Sequence, residues 1–172
     1  MNFRFCPRCA TPLVEGAVAG RTRQYCPAPD CHFVHFRNPL PVAGCLVADP
    51  SGIVLIRRAV EPRRGYWALP AGYVEEDETP EEAARRETRE ECGLEVELHG
   101  LLGVYSFFER RGNRSGLGLF YLACPVGGVL VPGDDALDAR VFPLDTLPVE
   151  LAFPSHARVI AGWQSRCSGN ED

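Results

Sequence analysis

Apolar strands interrupted by one strongly capped helix and closed by a second helix predict an α/β sandwich with a mixed sheet. Four cysteines crowded into the first 31 of 172 residues predict a separate small module ahead of it. With 45% hydrophobic residues, the chain can pack one medium domain beside such a module. The expected division is residues 1–38 and 39–172.

Residues 1–38 read as a zinc ribbon. Cys6-Pro7-Arg8-Cys9 is one knuckle and Cys26-Pro27-Ala28-Pro29-Asp30-Cys31 a second, with 16 residues between them for a hairpin. A structural Zn²⁺ takes four protein ligands, and a segment this short cannot build a core of its own. Cys6, Cys9, Cys26 and Cys31 are the expected ligands, with His32 or His35 as alternatives to Cys31. The segment is mildly basic, and its aromatics do not alternate with basic residues along the chain. A structural or dimer-forming role is therefore expected. Cys45, Cys92, Cys124 and Cys167 stand singly and are expected to be buried or half-buried small hydrophobes.

Arg37-Asn38-Pro39-Leu40-Pro41 is a proline-punctuated connection. Val42–Asp49 and Ile53–Arg58 flank the turn Pro50-Ser51-Gly52 and read as a hairpin. A loop over 62–66 precedes a short strand at Trp67–Leu69. Glu95–Glu109 and Leu117–Cys124 read as long strands joined by a polar loop. A glycine-rich loop over 127–135, a strand at Ala139–Phe142 and a closing helix at Ser155–Arg166 complete the chain. His99 and His156 have no ligand-spaced partner and are expected to be ordinary hydrogen-bonded histidines.

The central helix carries the chemistry. Thr79-Pro80-Glu81-Glu82 supplies a capping hydroxyl, a proline at the first helical position and a glutamate three residues after the cap. Gly93 offers a left-handed stop. The helix should run over 80–92. Its i,i+4 order pairs Glu81 with Arg85 and Glu82 with Arg86, and more weakly Arg86 with Glu90. Glu87 and Glu91 lie one turn apart with no basic residue three or four positions away, near the end where the helix dipole disfavours anions. Local helix physics opposes this pair, and a hard divalent cation such as Mg²⁺ is the simple means of holding it.

The whole stretch, GYVEEDETPEEAARRETREECGL over 72–94, resembles the Nudix box. Gly72, Glu78, Arg86, Glu87, Glu90, Glu91, Gly93 and Leu94 stand at that motif's spacings, and Leu69-Pro70-Ala71 resembles its lead-in. Thr88 is the one departure, where an aliphatic residue is usual. The resemblance covers residues 40–167 and implies a Nudix α/β/α sandwich with a mixed sheet. With the ribbon it resembles the zinc-ribbon subgroup of Nudix pyrophosphatases, which act on ADP-ribose, FAD or NADH. It implies Mg²⁺ (or Mn²⁺) bound by Glu87, Glu91, Glu90 and the Gly72 carbonyl. Glu90 is the alternative base, and Arg86 with Glu78 orients the glutamates. An additional acid outside the box is expected among Glu109, Asp134, Asp135 and Glu150.

Cleaving a pyrophosphate requires charge neutralisation, an in-line water and a stabilised leaving oxygen. Arg57, Arg58, Arg63 and Arg64 cluster before the box, and guanidinium suits phosphate. Arg57, Arg64, Tyr66, Trp67 and Glu109 are the expected substrate contacts, with Trp67 equally a candidate for the core because it enters an apolar strand. The expected substrate is a nucleoside diphosphate linked to another moiety, ADP-ribose or FAD first. NADH comes second, because the residues after Leu94 lack the serine/glutamine/proline-rich motif of NADH pyrophosphatases; capped RNA is a related substrate. A reading of another class is a non-catalytic regulatory module, although such proteins usually lose box glutamates. The net charge of −5 gives no sign of a general nucleic-acid surface. The N-terminus lacks a secretory h-region and no apolar run approaches the ~20 residues of a membrane span, so a cytoplasmic protein, with a homodimer compatible, is expected.

Overall fold

The computed structural model describes residues 3–109, 114–133 and 135–168. The chain forms two compact units, Met1–Asn38 and Pro39–Asp172. The first is an antiparallel sheet of β1 (Val14–Val18), β2 (Arg21–Tyr25) and β3 (Val34–His35), in that order. Ala19 and Gly20 join β1 to β2, both with positive φ, as the tightest hairpin turn demands.

The second unit is a mixed sheet with a helix on each face. Its strands are β4 (Leu40–Asp49), β5 (Gly52–Arg58), β6 (Trp67–Ala68), β7 (Ala71–Tyr73), β8 (Leu94–Glu109), β9 (Arg114–Gly128) and β10 (Ala136–Phe142). The main order is β10-β5-β4-β9-β8, with β6 added to β5 and β7 added to β4. β4 and β9 pair in parallel; the other pairs are antiparallel. Helices α1 (Pro80–Cys92) and α2 (Pro154–Ser168) cover opposite faces. Alternation shows this directly: Cys45, Val47, Val54 and Ile56 pack with Ala83, Ala84 and Cys92 of α1, whereas Leu46, Ile53 and Leu55 pack with Val159 and Ile160 of α2. Burial on both faces is why β4 and β5 read as near-continuous apolar runs. No helix among the described residues is long and apolar enough to cross a membrane.

The expected β4–β5 hairpin is brief. Only Ala48↔Ile53 and Asp49↔Gly52 pair across the turn; β4 then diverges to β9 and β5 to β10. The segment expected as one strand at Trp67–Leu69 fills the resulting gap. It pairs with β5 as β6, crosses at Leu69-Pro70, and pairs with β4 as β7. Proline has no N–H to give a ladder, so the crossing falls where pairing would break in any case. One of the single cysteines departs from the expectation for the set. Cys45 and Cys92 are buried and Cys124 is half-buried, but Cys167 lies exposed near the end of α2.

Helix α1 has the expected punctuation. The Thr79 hydroxyl accepts from the Glu82 N–H, Glu82 accepts from the Thr79 N–H, and Gly93 closes the helix at φ 73°. Of the expected i,i+4 ion pairs, Arg86 with Glu90 forms, whereas Glu81 and Glu82 take other partners. Glu82 is committed to the cap, Glu81 accepts from the buried Tyr121 hydroxyl at 3.0 Å, and Arg85 donates to the Glu81 carbonyl rather than to its carboxylate. Thr79→Ala should lower stability by about 1 kcal/mol, the usual cost of losing an N-cap hydroxyl; urea unfolding followed by circular dichroism measures it.

Candidate active site

The site is assembled where α1 lies across β7. Glu91 is buried at 7% exposure, and its Oε2 accepts from the Ala71 N–H at 2.9 Å. Glu87, one turn earlier, packs its carboxylate against Gly72 so closely that a Cβ there would overlap it. A side chain at position 72 would displace the Glu87 carboxylate from this place. Thr88, between them, is fully buried; its hydroxyl donates to the Ala84 carbonyl at 2.7 Å, so the polar atom is satisfied inside the core.

Arg86 gathers the remaining charges. It donates to Glu78 through Nε (3.0 Å) and Nη2 (2.5 Å), to Glu87 at 2.7 Å and Glu90 at 3.1 Å through Nη1, and to the Tyr73 carbonyl at 3.0 Å. This corrects the charge assignment made from helical spacing. Glu87 does have a basic partner, its own neighbour, because the long guanidinium swings toward the loop acid Glu78 and passes it. Arg86 holds the Glu78 carboxyl down at about 2. Burial pushes Glu87 above the usual carboxylate range, against the pull of Arg86.

Glu91 is pushed up to about 8, chiefly by burial, with the Ala71 N–H opposing and the Glu87 charge adding. Two charges from outside the helix also reach it: Arg58, which favours its ionised form, and Asp135, which opposes it. Arg58 belongs to the arginine cluster before the box. It continues the Val54, Ile56 alternation toward α1, whereas Arg57 falls on the other face. Asp135 follows a loop that caps α1, with the Val131 and Gly133 N–H groups donating to the Cys92 and Glu91 carbonyls at 3.1 and 3.0 Å.

Hard carboxylate oxygens, partly desolvated and mutually repulsive, suit Mg²⁺ or Mn²⁺. Glu87 and Glu91 fit that ion. Glu90, 52% exposed and turned to Arg86, does not converge with them. Among the described residues, the acid, histidine or cysteine ligand atoms that meet in a group of three or more within 4.8 Å are those of Cys6, Cys9, Cys26 and Cys31. Cys6–Cys31 and Cys9–Cys26 sulfurs lie 3.5 Å apart, near the ~3.8 Å edge of a tetrahedron with 2.3 Å Zn–S bonds. His35 instead bonds Gln24 at 3.2 Å.

The expected substrate contacts separate. Tyr66 packs on the α1 side beneath the Arg63 guanidinium, 5.4 Å from the ring centroid. Trp67 points to the opposite face, edge-on to Phe142 at 4.6 Å and within the α2-side core. Arg57, paired with Trp67 across β5–β6, shares that face, and its Nε donates to the Gly65 carbonyl at 2.9 Å. Arg64 is exposed in the loop between β5 and β6. The strand alternation that separates Tyr66 from Trp67 prevents both from lining one pocket beside Glu87 and Glu91. The Glu109 side chain and Asp134 lie outside the described residues, and the Glu150 carbonyl accepts from the Trp67 N–H at 3.0 Å. An open cavity of about 630 Å³ flanks α1 but is lined by Arg85, Arg89, Glu82 and Val96 with Glu78 and Arg86, not by Glu87 or Glu91.

A NUDIX domain profile matches residues 38–163. Over 128 residues the chain is 38% identical to the ADP-ribose pyrophosphatase of Methanocaldococcus jannaschii, covering 74% of this chain and 75% of that protein. It is 32% identical over 162 residues to the NAD-capped RNA hydrolase NudC of Stutzerimonas stutzeri, covering 92% of this chain and 55% of NudC. A crystal structure of a NUDIX hydrolase from Nitrosomonas europaea superposes with a TM-score of 0.85 at 29% identity, over 98% of this chain and 94% of that one. The chain belongs to the NUDIX family. Within it, the relatives place the protein among the Nudix pyrophosphatases.

The raised Glu91 sets a direction for stability. Its folded value, about 8, exceeds its unfolded value near 4.5, so the folded state binds the extra proton between those pH values. Without Mg²⁺ or Mn²⁺, the Glu91 contribution to stability should be full below about pH 5 and be lost toward pH 8, and Glu91→Gln should remove that decline. Thermal unfolding across that range, in chelator, measures both.

Proposed function

We propose that the protein is a Mg²⁺- or Mn²⁺-dependent pyrophosphatase. Its substrate on this reading is a nucleoside diphosphate linked to a second moiety, with ADP-ribose or FAD first. The observation that carries this is the pair Glu87 and Glu91, desolvated on the β7 backbone at Gly72 and Ala71. The M. jannaschii relative, named for ADP-ribose, supports the substrate.

Glu87 and Glu91 hold the metal on this reading, with Glu90 released from Arg86 as a third ligand or as the base that takes a proton from water. Bound there, a divalent ion neutralises phosphate charge and lowers the pKa of a coordinated water. Arg86, fixed by both Glu78 oxygens, keeps the helix acids registered against β7. Arg58 and Arg64 supply positive charge for the phosphates, Arg58 on the α1 face and Arg64 from the exposed loop. Tyr66, the aromatic on the α1 side, is the stacking candidate. Asp135 is the acid from outside the box nearest in effect to Glu91. Cys6, Cys9, Cys26 and Cys31 hold a structural Zn²⁺ that staples the ribbon.

NAD-capped RNA is the second reading, favoured by the 92% coverage of this chain in the match to NudC, which therefore extends into residues 1–38. A Mg²⁺-dependent screen of ADP-ribose, FAD, NADH and an NAD-capped oligoribonucleotide separates the two, with ¹⁸O-water locating the attacked phosphorus. Glu91→Gln should abolish turnover while the protein stays folded; full activity in that variant contradicts the metal assignment. Absence of hydrolysis across the panel favours a non-catalytic binding module. Elemental analysis of anaerobically purified protein should find about one Zn per chain.

A further inference from the structure

The crossing between β6 and β7 leaves one backbone donor without a strand partner. Ala68 pairs with Ile56 of β5, and Ala71 with Gly44 of β4. Between them Pro70 has no N–H, and its carbonyl accepts from the Cys45 N–H at 3.1 Å. Leu69, 1% exposed, keeps an N–H that neither β4 nor β5 can receive. It donates to Nδ1 of His156, 3.0 Å away and 87 residues later in the chain.

His156 is built for that one contact. It lies on the inner face of α2 at 5% exposure, with Phe120 and Phe153 rings each 5.1 Å from its own. Burial holds it neutral, down to about 3, and accepting at Nδ1 requires the tautomer with its proton on Nε2. Two residues beyond Leu69, the Ala71 N–H meets Glu91; one further, Gly72 abuts Glu87.

We infer that His156 is a positioning residue: from α2 it fixes the 69–72 segment against which Glu87 and Glu91 are set. This rests on the metal-dependent reading above. His156 touches neither metal nor substrate; it acts through the backbone, as outer-shell partners do when they orient ligands.

The test compares His156→Leu, which keeps volume but removes the acceptor, with His156→Asn, whose Oδ1 can accept the same N–H. Mn²⁺ affinity by electron paramagnetic resonance is read beside kcat, KM and the Mg²⁺ dependence of turnover. His156→Leu should weaken Mn²⁺ binding and kcat by about tenfold or more, with KM for the nucleotide little changed, and His156→Asn should recover most of the loss. Unaltered Mn²⁺ affinity in a folded His156→Leu, or equal loss in both variants, overturns the inference. If wild-type protein binds Mn²⁺ but hydrolyses nothing, the pyrophosphatase reading fails while the Mn²⁺ comparison still decides this one. Should the variants not fold, ¹⁵N NMR of the wild-type protein decides it: a proton on Nδ1 of His156, or no coupling between Nδ1 and the Leu69 amide, contradicts the inference.

Discussion

A carboxylate that folding has stripped of water, facing a single backbone N–H, organises the catalytic unit. Burying a charged carboxylate without a full set of partners is costly, and in the absence of a cation the group takes up a proton instead. Glu91 is in that position: one donor from Ala71, Glu87 one turn away, and burial that lifts it to about 8. The fold accepts a destabilised group because its surroundings over-determine it. The N-cap and αL stop set the length of α1, Thr88 and the alanines seat it, and Arg86 ties it to the Glu78 loop.

Around that carboxylate the elements divide the work. α1 presents Glu87 and Glu91 to β7, with Glu90 turned to Arg86. β7 presents two backbone positions, one needing an N–H and one needing no side chain. The β4–β5 divergence makes room for β7, and α2 holds the crossing that leads into it. Burial sets the Glu91 carboxyl high, and Arg58 and Asp135 from neighbouring elements add smaller, opposing pulls. The ribbon gathers its four thiols by two local knuckles and a tight hairpin, independently of this machinery.

What was legible in the sequence was mostly local. The cap of α1, its glycine stop, the box spacings and the cysteine pairs all depend on residues a few positions apart; the structure shows the cap and the stop as read and brings the four cysteines together. The mixed sheet with helices on both faces followed from the order of elements. What escaped was set by tertiary geometry. Helical spacing assigned Arg86 to Glu82, but a loop acid eight residues before it won the guanidinium. The hairpin reading of β4 and β5 missed that a parallel partner 70 and more residues later would separate them. Tyr66 and Trp67 were both candidates to stack on a base, with Trp67 equally a candidate for the core; strand alternation sends them to opposite faces, and Trp67 joins the α2-side core. His156 looked ordinary because its partner is a backbone donor, which no side-chain pattern records.

Carboxyl ¹³C titration of Glu91, in chelator and then in Mg²⁺, tests most directly whether this buried group is the metal's anchor. The account expects a midpoint near 8 without metal, falling below the usual carboxylate range when Mg²⁺ binds. A midpoint near 4.5 in chelator, unmoved by Mg²⁺, contradicts it.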